Sequence, residues 1–193
     1  LAVLGIWSGE ARFTPIVFLN LLGGLGLVSF SWRTYLATAG GVLQTTPTPL
    51  TLRFGTLTLT MTVLSGAAIG AGQFALACTT FPDCHGQWWP FIQDWMAFSV
   101  FSDGHPSSTS GRTLHLLHRY ATLISVLLLG HAAWTIWRSG TRRLAAGLTL
   151  ILIASTLAAG IATLLYAHPL WLTTAHILAA ATLLGAVATL LQR

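Results

Sequence analysis

Residues 144–166, LAAGLTLILIASTLAAGIATLLY, run for 23 positions without a charged side chain. A helix needs about 20 apolar residues to cross the hydrocarbon core of a bilayer, so this run predicts a membrane span. The same criterion finds four further runs. The five predicted spans are Phe13 to Trp32, Phe54 to Leu76, His115 to Trp137, Leu144 to Tyr166 and Leu170 to Leu191. We therefore expect an all-α integral membrane protein with five transmembrane helices.

The composition agrees with this class. The 193 residues are 54% hydrophobic and 7% charged, whereas soluble domains carry roughly 25% charged residues. The net charge of +5 comes from scattered arginines, so it indicates no nucleic-acid partner, and the lipid bilayer is the expected one. No signal-peptide pattern precedes the first span, and the chain is expected to be a fragment or a processed product.

Arginine placement predicts the orientation, because short cytoplasmic loops collect basic residues. The arginines at the ends of the first and third connections and at the C-terminus are Arg33, Arg53, Arg138, Arg142, Arg143 and Arg193. The long second connection, residues 78–111, instead carries three aspartates and three tryptophans. We expect that connection to face the outside and the C-terminus to be cytoplasmic.

The third predicted span begins with HLLHRYATL, residues 115–123, in which two histidines and an arginine enter an apolar helix. Polar groups in hydrocarbon cost several kcal/mol unless paired, so they mark a candidate site. With helix starts near Arg112 and Pro169, His118 and His176 lie about 9 and 10 Å along their helices from the outer side.

Two imidazoles at one depth can ligate a haem iron from opposite faces. The alternative is that each histidine bonds a carbonyl or hydroxyl across a helix contact, and the matched depth favours the haem ligand pair.

Arg119 and Arg112 are the candidate partners of the two propionates of such a haem. For Arg112, extension toward the membrane interface is an equal alternative. His115 shares a helix face with His118, so it is a candidate second ligand, propionate contact or proton carrier. His131 lies about 220° round the helix from His118 and should point away. The loop histidines, His85, His105 and His168, are expected to be solvated.

Cys78 and Cys84 enclose TTFPD, with His85 next. A disulfide can close so short a loop on the outer side and would cap an outward-facing site. The rival is a Cys–Cys–His metal site, which lacks a fourth ligand at ordinary zinc spacing. A redox role for the two thiols stays open.

Several of these motifs resemble the second half of haem A synthase. They are ACTTFPDCHGQWWP (77–90), HLLHR (115–119) and TTAHILAAA (173–181). Upstream, LGIWSG (4–9) is similar to the end of the third family helix and PIVFLNLLGGLG (15–26) to the fourth. The resemblance covers essentially the whole chain and is nearest to the proteobacterial and mitochondrial branch.

The resemblance implies eight helices in two four-helix halves and an oxidoreductase of haem biosynthesis. Such an enzyme oxidises a methyl group of haem O to the formyl group of haem A for terminal oxidases. Residues 1–49 would be the end of one helix plus a span of the substrate half. Residues 50–193 would be a four-helix domain that holds haem b through His118 and His176. The chain alone is then expected to be inactive, and His115 is a weak catalytic candidate.

One position departs from the family. The fourth family helix carries a substrate-side histidine before an LLGG-like run, and this sequence has Asn20 there. Asparagine is a poor ligand for haem iron, so Asn20 puts substrate coordination in question.

The resemblance further implies a multi-pass protein of the cell (inner) membrane, with the cysteine loop periplasmic. Haem O is the implied substrate of the complete enzyme, and haem O synthase, an electron donor and a second copy of the chain are candidate partners. Two other hypotheses stay open: a cytochrome b-type electron-transfer module without haem-modifying activity, and a membrane scaffold with structural histidines.

Overall fold

A computed structural model describes residues 14–39, 48–90 and 109–192. Within these ranges, five helices are long and apolar enough to cross a membrane. They are α1 (Thr14–Thr38), α2 (Leu50–Ala71), α3 (Thr109–Ser139), α4 (Arg143–Leu165) and α5 (Leu170–Leu191). The predicted all-α membrane class and its five spans are confirmed.

The last four helices form two pairs. α2 packs along α3, α4 packs along α5, and contacts between α3 and α4 join the pairs. α1 lies across α2 and α5, where the Trp32 indole N–H donates to Thr189 Oγ1 at 2.9 Å. Short connections between α3, α4 and α5 enforce the antiparallel arrangement.

In each pair the first helix ends and the second begins at the same end: α2 is followed there by α3, and α4 by α5. We call this end the loop end, because residues 78–84 lie there against α3. A buried cluster drawn from α2 to α5 fills the opposite half of the bundle, with Leu52, Leu129, Ile153 and Val187 among its members. The two clusters described in the loop-end half come from α2, α3 and the turns that follow α2. The apolar packing that joins the pairs is therefore concentrated away from the loop end.

The same hydrogen-bonded turn ends α2 and α4. After α2, the Phe74 N–H donates to Ile69 O at 3.0 Å, and Gln73 has a φ of 56°. After α4, the His168 N–H donates to Thr163 O at 2.7 Å, and Ala167 has a φ of 56°. A left-handed residue followed by this six-residue hydrogen bond defines a Schellman motif, which ends a helix sharply.

Three predicted span ends differ from the helices by five residues or more. α1 ends at Thr38 rather than at Trp32, α2 ends at Ala71 rather than at Leu76, and α3 begins at Thr109 rather than at His115. A hydropathy criterion does not detect the polar first turn of α3, and it reads the apolar residues after α2 as more helix. The short 3-10 helix Ala75–Ala77 occupies those residues instead.

Candidate functional site

His118 lies on α3 and faces α2. Its Nδ1 lies 3.0 Å from the Thr62 carbonyl oxygen and 3.1 Å from Ser65 Oγ. The ring also lies against Gly66, where an added Cβ would sit 3.0 Å from His118 Cε1. The absence of a side chain at Gly66 therefore lets the imidazole approach the backbone of α2.

His176 has the same surroundings in the second pair. Its Nδ1 lies 3.0 Å from the Thr156 carbonyl oxygen on α4. A Cβ added at Gly160 would meet His176 Cε1 at 2.9 Å and Nδ1 at 3.2 Å. The threonine and glycine stand four residues apart on α2 and again on α4. Each pair thus holds one histidine by a carbonyl and a glycine of the preceding helix, although no internal repeat is evident in the sequence.

These contacts fix how each imidazole can act. A carbonyl oxygen accepts only, so Nδ1 carries the proton and donates it, which makes Nε2 the lone-pair nitrogen. In both rings the hydrogen bonds made with the described part of the chain use Nδ1. A metal-ligating histidine is typically oriented in this way, by a hydrogen bond from its other ring nitrogen. We call each such pair of a threonine carbonyl and a glycine a cradle: Thr62 with Gly66, and Thr156 with Gly160. Both cradles orient a histidine as an axial haem ligand requires.

His118 and His176 lie close enough to interact electrostatically across the two pairs. The depth argument from the sequence needs correction, because α3 begins at Thr109 and not near Arg112. His118 is then nine residues into its helix and His176 six into α5. The predicted equal distances of the two histidines from their helix starts were therefore wrong. The pairing of His118 with His176 is supported instead by their electrostatic interaction and their matching cradles.

Arg119 is directed toward the loop. Its guanidinium donates to three backbone oxygens, those of Thr80 at 2.9 Å, Pro82 at 3.0 Å and Asp83 at 2.6 Å. The same group lies 5.8 Å from the centroid of the Phe81 ring. The described contacts of Arg119 thus fasten residues 78–84 to α3. Arg112 is half-buried in the first turn of α3, and a propionate role for either arginine stays a prediction.

The loop itself is closed by a bond between Cys78 and Cys84, whose Cα atoms are 5.2 Å apart. Both cysteines are fully buried. Inside the loop, the Thr80 hydroxyl donates to Asp83 O, and it accepts the His85 N–H at 2.7 Å. The His85 side chain is exposed, and the described residues contain no group of three or more side chains that can hold a metal ion. The disulfide interpretation therefore fits this loop better than the Cys–Cys–His site.

His115 is buried and lies 2.9 Å, through Nε2, from the Phe74 carbonyl oxygen. This hydrogen bond ties α3 to the turn that ends α2. The catalytic role considered for His115 stays a prediction. His131 is exposed, 13 residues after His118 on α3, as expected for a ring that points away from the pair.

Sequence reasoning missed His168, which it assigned to solvent. The residue is half-buried at the loop end, and burial lowers the pKa of its imidazole, so the ring is neutral near pH 7. Its ring centroid lies 6.5 Å from that of His115. His105 lies outside the described residues. Asn20 lies half-buried on α1.

Comparisons with known proteins add the family. The model of the COX15-CtaA family, described as cytochrome oxidase assembly protein, matches residues 2–188. A curated protein of Shewanella oneidensis strain MR-1, named "Heme A synthase", is 29% identical over 201 residues. The alignment covers 97% of this chain and 61% of that protein, so the chain spans about three-fifths of the relative's length. No solved structure matches the chain. With nearly its whole length matched, the chain belongs to the COX15-CtaA family of cytochrome oxidase assembly proteins.

Proposed function

We propose that this chain is part of a haem A synthase and that α2 to α5 hold its haem b, with His118 and His176 as the axial ligands of the iron. The observation that carries the proposal is the repeated cradle. In each one a carbonyl oxygen accepts a hydrogen bond from Nδ1, and a glycine leaves space for the imidazole ring. A structural histidine needs only one partner across a helix contact. Two histidines held in the same way, one in each helix pair, match the ligand set of a bis-histidine site.

Each residue has a distinct task in this proposal. The carbonyls of Thr62 and Thr156 fix the tautomer, so that Nε2 is the ligating nitrogen in both rings. Gly66 and Gly160 set how far each imidazole stands from its neighbouring helix. When bound, haem b supplies one-electron transfer. Arg112 remains a candidate for the propionates, and Arg119 holds the loop that covers this end of the bundle.

The oxidation of the haem O methyl group to the formyl group of haem A is proposed for the complete enzyme. It rests on the family and on the name of the Shewanella relative. We assign the substrate to the half of the enzyme to which α1 belongs, with α2 to α5 passing electrons. We further propose an inner-membrane location with the loop end periplasmic, and haem O synthase, an electron donor and a second copy of the chain as candidate partners.

A membrane cytochrome b without haem-modifying activity is the second candidate. Asn20 favours it, because asparagine stands where the family resemblance expects a substrate-side histidine. The electron-transfer half of the proposal is common to both candidates, so they differ only in the product formed.

Haem extraction and chromatography separate the two. The intact protein is expressed in cells that make haem O and lack their own haem A synthase. The proposed enzyme yields haem A, and His118→Ala reduces the yield to background, whereas His131→Ala leaves it unchanged. If the purified protein holds haem b and the cells accumulate only haem O, the cytochrome candidate replaces the enzyme.

A further inference from the structure

The two cradles differ in the residue that directly precedes the glycine. This residue follows the cradle threonine by three positions, and it is Ser65 on α2 and Ala159 on α4. Ser65 Oγ lies 3.1 Å from His118 Nδ1. The methyl group of Ala159 can neither donate nor accept a hydrogen bond, so His176 has no equivalent contact. Ser65 and Ala159 therefore occupy equivalent positions in the two cradles and differ in chemistry there.

The Ser65 hydroxyl is arranged to accept a hydrogen bond from His118. Its own hydrogen has two carbonyl oxygens within reach in the preceding turn of α2, Met61 O at 2.9 Å and Thr62 O at 3.0 Å. A hydroxyl has one hydrogen and two acceptor lone pairs, so the oxygen can still accept from a ring N–H. His118 Nδ1 lies 3.0 Å from Thr62 O and 3.1 Å from Ser65 Oγ. The Nδ1 proton of His118 is therefore shared between two acceptors.

The corresponding proton of His176 has one acceptor in the part of the chain that the structure describes. That acceptor is the Thr156 carbonyl oxygen, 3.0 Å from Nδ1. A serine does stand beside this cradle, but Ser155 is exposed and its hydroxyl donates to the Leu152 carbonyl oxygen. The two imidazoles are thus oriented alike and hydrogen-bonded unequally.

Unequal hydrogen bonding makes the two imidazoles unequal as ligands. A hydrogen bond from the non-ligating ring nitrogen raises the basicity of a metal-bound histidine. A second acceptor strengthens this effect, because it draws the Nδ1 proton farther from the ring and leaves more electron density at Nε2. Hydrogen bonding outside the ligands is also one of the means by which a protein sets the potential of a haem.

We propose that Ser65 is a positioning residue that makes His118 the stronger electron donor of the two axial ligands and lowers the potential of the haem that they hold. This inference rests on the proposed haem site. Electron density supplied by a ligand stabilises the ferric state more than the ferrous state. The ferrous haem is then a stronger reductant, which suits the electron-passing role proposed for α2 to α5.

The test is a potentiometric titration of the haem in the intact purified protein, with resonance Raman spectra of the iron–imidazole stretch. Ser65→Ala installs the side chain of the equivalent position, and Ser65→Thr retains a hydroxyl. Ala159→Ser offers the second cradle the missing acceptor. Ser155→Ala is the matched control, because it removes a serine hydroxyl next to a cradle threonine that bonds to Leu152 O instead of an imidazole.

The expected shifts have opposite signs at the two equivalent positions. For Ser65→Ala we expect the ferric-to-ferrous equilibrium to move about three- to tenfold toward ferrous, where tenfold is ~59 mV for one electron. Ala159→Ser should move it toward ferric. The iron–imidazole stretch should fall in frequency in the first variant and rise in the second. Ser65→Thr and Ser155→Ala should stay near the unsubstituted protein.

An unchanged potential in Ser65→Ala at full haem occupancy would overturn the inference, and so would an equal shift in Ser65→Thr. A shift toward ferrous in Ala159→Ser, or none, would overturn it as well. The same holds for potential shifts without any change in the iron–imidazole stretch, which would assign them to altered packing or solvation. Absence of haem b from the unsubstituted protein is a different result, which refutes the proposed function itself.

Discussion

At the scale of single residues, Gly160 is the most constrained contact of the site. A methyl group there would meet two atoms of the His176 ring at 2.9 and 3.2 Å. Overpacking of this kind costs about 1–3 kcal/mol. We therefore expect Gly160→Ala to weaken haem retention about tenfold, since 1.4 kcal/mol corresponds to a factor of ten. Gly66→Ala should act in the same direction and less strongly, because its contact with His118 Cε1 is 3.0 Å.

Gly130→Ala provides the control for this prediction. Gly130 is also in a membrane-spanning helix, α3, and an added Cβ there would meet nothing within 4 Å. Haem-to-protein ratios after detergent purification and dialysis against apomyoglobin give the measurement. Equal retention in the Gly130 and Gly160 variants would show that the cradle does not position His176.

The candidate ligands are the residues for which sequence reasoning reached furthest. A histidine in an apolar helix is conspicuous, and sequence reasoning singled out His118 and His176 by adding a matched depth that the observed start of α3 does not support. Gly66 and Gly160 were not assigned to the site, because a glycine in a membrane helix usually signals generic close packing. Their role depends on which residue of the adjacent helix lies opposite. His168 was missed for a related reason, since its burial follows from the turn after α4.

At the scale of elements, residues 78–84 and α3 form one unit through Arg119. We expect Arg119→Gln to lose at least two of the three hydrogen bonds and to destabilise the loop by about 1–3 kcal/mol. Amide exchange of residues 79–86 should accelerate about tenfold, as seen by mass spectrometry of the protein in detergent. Arg119→Lys should give a partial effect, because a lysine keeps the charge without the planar fork of donors.

An opposite result would restore the role expected from the sequence. If loop exchange is unchanged in Arg119→Gln while the haem potential shifts, the guanidinium acts on a propionate and not on the loop. Arg138→Gln is the control, because Arg138 lies at the far end of the same helix, beside the Trp134 ring.

The number and approximate positions of the helices could be predicted from the sequence, but the residues at which they begin and end could not. Five uncharged or nearly uncharged runs suffice to predict five spans, because burying charge in lipid is costly. The end of α2 is instead set by the left-handed conformation of Gln73, and the start of α3 lies in polar residues that hydropathy ignores. Neither signal is an apolar pattern.

At the scale of the whole molecule, the orientation is a testable consequence of the arginine distribution. Cys78 and Cys84 should react with a membrane-impermeant maleimide in intact spheroplasts only after reduction, because they are bonded to each other. A cysteine introduced at Arg142, in a variant whose two native cysteines are replaced, should stay unlabelled until the membrane is permeabilised. Labelling at position 142 in sealed spheroplasts would reverse the predicted orientation.

The paired histidines are the central claim, and electron paramagnetic resonance of the oxidised intact protein tests them most directly. We predict the low-spin ferric signal of a bis-histidine haem, lost or converted to high spin in both His118→Ala and His176→Ala. The same signal should persist in His131→Ala, whose side chain is exposed on α3. An unaltered low-spin signal in either His118→Ala or His176→Ala, at full haem occupancy, would contradict the account.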